Sequence, residues 1–152
     1  PLCTHVLIHD AARPFLTSRL VRETAAAALR HGAATVALPV TDTLVRAGRD
    51  AGEALALDEL VDRTRMWSVQ TPQAFAIDVL RRAHEEARAA GRSATDDGGL
   101  VRALGVPVAL VPGNWWNMKV TVSEDLLRAE LLLQMRAQLE EQEADSDGRQ
   151  EP

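Results

Sequence analysis

Asp10 and Arg13 are the first residues in the chain whose types and spacing could do chemistry. They lie in His9-Asp10-Ala11-Ala12-Arg13-Pro14-Phe15, directly after the apolar run Val6-Leu7-Ile8. That run is short enough for a buried strand. A strand ending there puts the Asp10 carboxylate at its carboxyl end. Two alanines bring Arg13 round with little bulk, and Pro14 fixes its own φ while pushing Arg13 toward extended geometry. An acid and a base on a stiff turn beyond a strand suit a phosphorylated ligand or its metal, because open α/β sheets bind ligands past the carboxyl ends of their strands. A surface ion pair on a βα loop is the competing reading.

Three further segments carry candidate groups. Of the 17 basic residues, 16 are Arg and one, Lys119, is Lys. Against that bias the ammonium marks a position where a compact charge on a flexible stem can follow a phosphoryl group and a planar guanidinium cannot. Chance survival of one Lys explains the same count equally well. Asp62 to Gln73 contains Arg63, Arg65, Trp67 and the Thr71-Pro72 pair. Pro72 favours an extended residue 71, leaving the Thr71 hydroxyl beside free backbone groups; Trp67 reads as core. Thr95-Asp96-Asp97 opens a short helix with Thr95 at the N-cap and acids in the first turn, an arrangement that caps a helix and equally faces an anion.

The elements that must position these groups follow from pattern. Thr17 or Ser18 caps a helix over 19–31 with Leu20, Val21, Thr24, Ala28 and Leu29 inward and Gly32 as its stop. A strand over 34–40 follows, and strand, helix, strand predicts a right-handed parallel crossover. Alternation over 41–46, glycines within 47–53 and an apolar run over 54–61 predict a projecting hairpin arm, whose second face needs a partner subunit. Residues 77–90 form a helix ended by Gly91, with His84 half-buried on its surface. A strand over 106–111, a short strand over 117–121 carrying Lys119, and a long helix complete the domain. Thr121 and Glu124 have capping-box spacing at the start of that helix, and Leu126, Leu127, Leu131, Leu132 and Met135 are read as its inner face. The expected division is one partial domain over 1–139, with its arm at about 41–63, and a disordered acidic tail over 140–152.

Composition sets outer limits. The 152 residues are 46% hydrophobic and 26% charged, ordinary for a globular domain. A net charge of −5 argues against general nucleic-acid binding. Neither a membrane-length apolar run nor a signal-peptide pattern is present. The single cysteine, Cys3, excludes an internal disulfide and a cysteine metal cluster and fits a reducing cytoplasm.

Taken in order, HDAARPF at 9–15, PVTDT at 39–43, VDR at 61–63, TPQAF at 71–75, TDD at 95–97 and NMKVT at 117–121 resemble the 2-C-methyl-D-erythritol 4-phosphate cytidylyltransferase family of the non-mevalonate isoprenoid pathway. The resemblance covers about 2–135. It implies an α/β fold, a Rossmann-like nucleotidyltransferase sheet with flanking helices and a projecting β-arm. It implies attack of the substrate phosphate on the α-phosphorus of CTP, with release of pyrophosphate and a divalent cation, Mg²⁺, on the nucleotide phosphates. Position by position, Asp10 and Arg13 match the pair at the ligand crevice, Asp10 near hydroxyls and the metal. Lys119 matches the lysine supporting charge at the α-phosphate. Thr71 and Thr95 match hydroxyl ligands of the substrate, and Thr43 and Arg63 match phosphate-holding residues at the ends of an arm exchanged within a homodimer.

Asp97 stands where the family usually has Glu, and the arm after Thr43 is slightly long. The family's first strand and its glycine-rich loop for the CTP triphosphate have no counterpart in these residues. The chain therefore reads as amino-terminally truncated, and alone it is expected neither to bind CTP tightly nor to turn over. A pentitol-phosphate cytidylyltransferase (ribitol 5-phosphate) and a non-catalytic dimerising protein remain the alternatives.

Overall fold

The computed structural model describes residues 3–49 and 54–147, with the side chains of 49 and 137–147 left out. The residues 50–53 of the predicted arm tip lie outside this description. In chain order the elements are β1 (His5–Ile8), α1 (Ser18–His31), β2 (Ala33–Pro39), β3 (Leu44–Arg49), β4 (Leu55–Val61), β5 (Trp67–Ala76), α2 (Ile77–Ala89), α3 (Asp97–Ala103), β6 (Ala109–Pro112) and α4 (Ser123–Asp147).

Four strands form the main sheet in the order β1-β5-β2-β6. Both β1 and β2 run antiparallel to β5, and β6 runs parallel to β2. The predicted parallel relation of β1 and β2 therefore holds in direction, but the two are not neighbours, because β5 lies between them. The consequence for function is that β1, β2 and β6 all end at the same edge of the sheet.

The two faces of the sheet follow from the period-2 alternation of strands. On one face Ala34, Val36, Ala74 and Val111 pack against Leu20, Ala27 and Ala28 of α1. On the other, Ala33 and Phe75 meet Ala83 of α2 and Val101 of α3. The Thr17 side chain caps α1, and Gly32 ends it at φ +82°, with its N–H donating to the Ala28 carbonyl at 2.7 Å; a side chain at that φ would be strained. Leu29, expected inward, is instead exposed.

On β5 the ladder with β2 passes from Gln73 opposite Thr35 to Gln70 opposite Val36. Thr71 and Pro72 are thus left out of the pairing as a bulge. Pro72 has no N–H to offer a ladder, and bulges re-aim side chains. Buried polar groups close the gap: Gln73 Nε2 donates to Thr35 Oγ1 at 2.9 Å and to Asp96 Oδ2 at 2.8 Å, while the Gly98 N–H donates to Gln73 Oε1. Trp67, read as core, is exposed where β5 begins.

The last helix departs most from the expectation. Its capping acid is Asp125, not Glu124: Asp125 Oδ2 accepts from the Thr121 N–H and hydroxyl, both at 2.9 Å, and from the Val122 N–H. Among its described side chains Asp125, Ala129 and Leu132 are buried, the latter two on Phe15. Leu126, Leu127, Leu131 and Met135 are exposed. A helix apolar on every side offers no unique stripe, and the turn at Phe15 selects one at i, i+4, i+7. The helix also runs on to Asp147, through the stretch read as a disordered tail, because Ala, Glu and Gln sustain helix where the apolar period stops. Residues 148–152 of that tail lie outside the description. No helix among the described residues is long and apolar enough to cross a membrane.

These bonds, the Thr121 N–H first, hold the Asp125 carboxyl below its ordinary value. A depressed folded-state value stabilises the fold above the unfolded-state value and ceases to do so as pH falls through the folded one. Acidifying below about pH 4 is therefore expected to lower the urea midpoint, and Asp125→Asn to remove part of that acid dependence. An identical acid limb in the variant would contradict this.

Candidate active site

Every residue of the site hangs on β5 or on the loops that follow β1 and β6. At the end of β1 the chain turns so that the Arg13 N–H donates to the Asp10 carbonyl at 2.9 Å, and the Asp10 N–H donates to Thr71 Oγ1 at 3.0 Å. Thr71 can reach it because the bulge in β5 frees it from the ladder.

The segment after β6 completes the cluster. It is not the short strand that the sequence suggests for 117–121: instead of joining a ladder it leans on the turn, with the Val120 N–H donating to the Ala12 carbonyl at 2.8 Å. Met118 and Val120 pack toward Phe15 and α4. Lys119, between them, projects the other way, as alternation in an extended segment requires. Its Nζ lies 3.1 Å from Asp10 Oδ2, and Arg13 Nε lies 3.6 Å from the same oxygen.

One carboxylate thus stands between two cations, leaving a surplus of one positive charge. The Arg13 side chain is 11% exposed, against 45% for Lys119. Burial pushes the Arg13 guanidinium below the ordinary arginine value, and the neighbouring Asp10 carboxylate opposes that shift. Arg13 remains cationic at neutral pH. Lys119 is the cation open to a ligand.

Asn117 and Gln70 escape the sequence reading, yet they hold this arrangement. Asn117 is fully buried. Its Nδ2 donates to Gln70 Oε1 at 3.1 Å and to the Thr71 carbonyl at 2.8 Å, and its own carbonyl accepts from Arg13 Nη1 at 2.8 Å. Gln70 Nε2 donates to the Asn114 carbonyl. Gly113 makes room for this: a Cβ there would stand 2.6 Å from Gln70 Oε1 and 2.8 Å from Val36 Cγ1. The available signal is a pair of glutamines, Gln70 and Gln73, on a strand whose second half is buried, since a buried amide must find partners. Among the described residues two buried polar atoms, Arg13 Nε and Asn117 Oδ1, have no hydrogen-bond partner.

The remaining predicted residues stand apart from this cluster. Thr95 is exposed and is not the N-cap; Asp96 caps α3, accepting from the Gly99 N–H at 2.8 Å, and the Gln73 bond fixes it there. Thr43 and Arg63 are exposed on either side of the arm's foot, where Leu44 pairs with Val61. Among the described residues no hydrogen bond or ion pair joins Thr43, Arg63 or Thr95 to Asp10. The arm, β3 with β4, is a separate two-stranded sheet.

Comparison with known proteins decides the ancestry of this arrangement. The family model IspD, 2-C-methyl-D-erythritol 4-phosphate cytidylyltransferase, matches residues 2–135. The chain belongs to the IspD family. The enzyme of that name from Geobacillus thermodenitrificans is 46% identical over 131 residues, 86% of this chain and 55% of that protein. The one from Deinococcus radiodurans is 50% identical over 127 residues, 84% of this chain and 53% of that protein. The crystal structure of 2-C-methyl-D-erythritol 4-phosphate cytidylyltransferase from Thermus thermophilus superposes with a TM-score of 0.77 at 46% identity, covering 86% of this chain and 62% of that one.

The chain therefore spans about half the length of the curated IspD relatives it matches. The α/β nucleotidyltransferase fold expected from the motifs is the fold of its IspD structural neighbours. Asp10, Arg13, Asn117 and Lys119 all fall inside the matched residues.

Proposed function

We propose that the site serves transfer of a cytidylyl group from CTP to 2-C-methyl-D-erythritol 4-phosphate. The observation that carries this reading is the Lys119–Asp10–Arg13 cluster, with its surplus positive charge, inside the IspD match. A phosphate oxygen of the substrate bonds to the α-phosphorus, the bond to the β-phosphate breaks, and pyrophosphate leaves with the bonding electrons. Two polyanions must meet, so positioning and positive charge matter more than a nucleophilic side chain. Lys119 swings from Asp10 to the charge growing at the α-phosphate. Arg13, clamped by the Asn117 carbonyl, keeps Asp10 facing the hydroxyls of the ligand. Thr71 and Thr95 supply hydroxyl contacts to the substrate.

Thr43 and Arg63 hold phosphate from the arm's foot across a homodimer. Val45, Leu55, Leu57 and Leu60 of the arm are exposed, which suits a second subunit as their cover. Mg²⁺ fits Asp10 as one ligand. The Asp10 side chain is 37% exposed and turns Oδ2 toward both cations, which leaves Oδ1 for the ion. Mg²⁺ at phosphate sites needs few carboxylates besides the phosphates themselves. Bound there, the ion neutralises phosphate charge. Cys3, a free and exposed thiol, accords with a reducing cytoplasm.

The test is a chimera in which residues 2–135 replace the matching part of the Geobacillus thermodenitrificans enzyme. Pyrophosphate release from CTP is expected with methylerythritol phosphate and not with ribitol 5-phosphate. A preference for ribitol 5-phosphate, or a folded chimera without turnover on either, would overturn the reading.

A further inference from the structure

We infer that His9 is a specificity-determining positioning residue: it fixes the hydrogen of the Thr71 hydroxyl so that Thr71 offers a ligand only an accepting lone pair. His9 Nε2 lies 3.0 Å from the Arg13 carbonyl oxygen, which can only accept, so Nε2 carries a hydrogen. In the neutral ring Nδ1 then presents a lone pair, and it lies 3.0 Å from Thr71 Oγ1. The Asp10 N–H already donates to that same oxygen at 3.0 Å. Thr71 therefore sends its one hydrogen to His9 and receives one from Asp10. A hydroxyl oxygen has two accepting lone pairs, so one is left.

That leftover lone pair accepts from an O–H and repels a phosphate oxygen. The inference rests on the reading of the site as one for a polyol phosphate, and it deepens that reading: Thr71 recognises the polyol end, while Lys119, the cation open to a ligand, takes the charged end. His9 also bridges the first and last residues of its turn through the Arg13 carbonyl, so it holds the acid–base pair in register.

The experiment has two arms on the whole chain. In the first, the histidine ring nitrogens are labelled and their spectrum recorded at neutral pH, with the His9 signals assigned by their loss in His9→Gln. Nε2 is expected to be protonated and Nδ1 unprotonated and hydrogen-bonded, with the Nδ1 signal shifting in Thr71→Val and returning in Thr71→Ser. A ring protonated at Nδ1, or one averaging between forms, overturns the inference.

In the second arm, affinities for methylerythritol phosphate and for inorganic phosphate are compared by titration. His9→Gln, whose amide carries both a donor and an acceptor, serves as the conservative control, whereas His9→Leu removes the acceptor for Thr71 and frees the hydroxyl to turn toward phosphate. In His9→Leu the ratio of the two affinities is expected to fall about tenfold, with inorganic phosphate bound as well as before or better. An unchanged ratio beside the expected spectrum overturns the specificity role. No binding of methylerythritol phosphate to the wild-type chain, beside the expected spectrum, overturns the polyol reading and leaves the placement of the hydrogen standing.

Discussion

Asn117→Ala is expected to destabilise the protein by about 3 kcal/mol, the largest loss of stability at any single residue of the site. The side chain is fully buried and donates both of its amide hydrogens, one to Gln70 Oε1 and one to the Thr71 carbonyl. Removing it leaves a buried acceptor, Gln70 Oε1, and a partly buried one, the Thr71 carbonyl, without that donor, at about 1–3 kcal/mol for a fully buried group, and opens a small cavity besides. Relaxation recovers part of that sum. The melting temperature should fall by roughly 6–12 °C, the amount about 3 kcal/mol represents in a chain of this size. Asn117→Asp should be worse, because a carboxylate oxygen would then face two acceptors. Trp115→Ala, two residues away and largely exposed, should change stability by no more than about 0.5 kcal/mol. Equal melting temperatures for wild type and Asn117→Ala would show that the amide is not what joins β5 to the Lys119 loop.

Lys119→Met in the chimera is expected to lower kcat/KM by about 10²–10³-fold, with most of the loss in kcat, because in the proposed function the ammonium answers charge that grows only in the transition state. Methionine keeps the stem and its packing while removing the charge, so the fold should be unaffected; Lys119 is half-exposed. Lys119→Arg should recover little. A guanidinium beside Asp10 would settle into a planar pairing with the carboxylate and would not follow a moving phosphoryl group. A loss confined to KM would reassign Lys119 to ground-state binding of the nucleotide.

The residues of the cluster were legible in the chain, and their supports were not. Asp10 and Arg13 announced themselves by position after a strand, and Lys119 by standing alone among arginines; the structure brings all three together. The ends of α1 were equally plain, because Thr17 and Gly32 cap helices for local reasons that neighbours seldom override. What sequence could not supply was pairing over distance. Nothing local tells that β5 inserts between β1 and β2, that two of its residues leave the ladder, or that Gln70 and Asn117 meet. The inward face of α4 failed for a related reason: with leucines on every side, the choice belongs to Phe15, more than a hundred positions earlier. Thr95 and Asp96 are both good caps in isolation, and the buried amide of Gln73 chose the second.

The bulge in β5 also determines when the site comes into being. The Asp10 turn is tied to Thr71 across 61 residues of chain, and Arg13 reaches the Asn117 carbonyl across 104. Contacts of such separation form late, after the entropy of closing long loops has been met. A chain whose helices have formed but whose β5 has not yet docked on both neighbours has its charges scattered and nowhere to gather them. On the proposed function, ligand capture would therefore report on the finished sheet, with a phosphate ester added during refolding bound only in the last step.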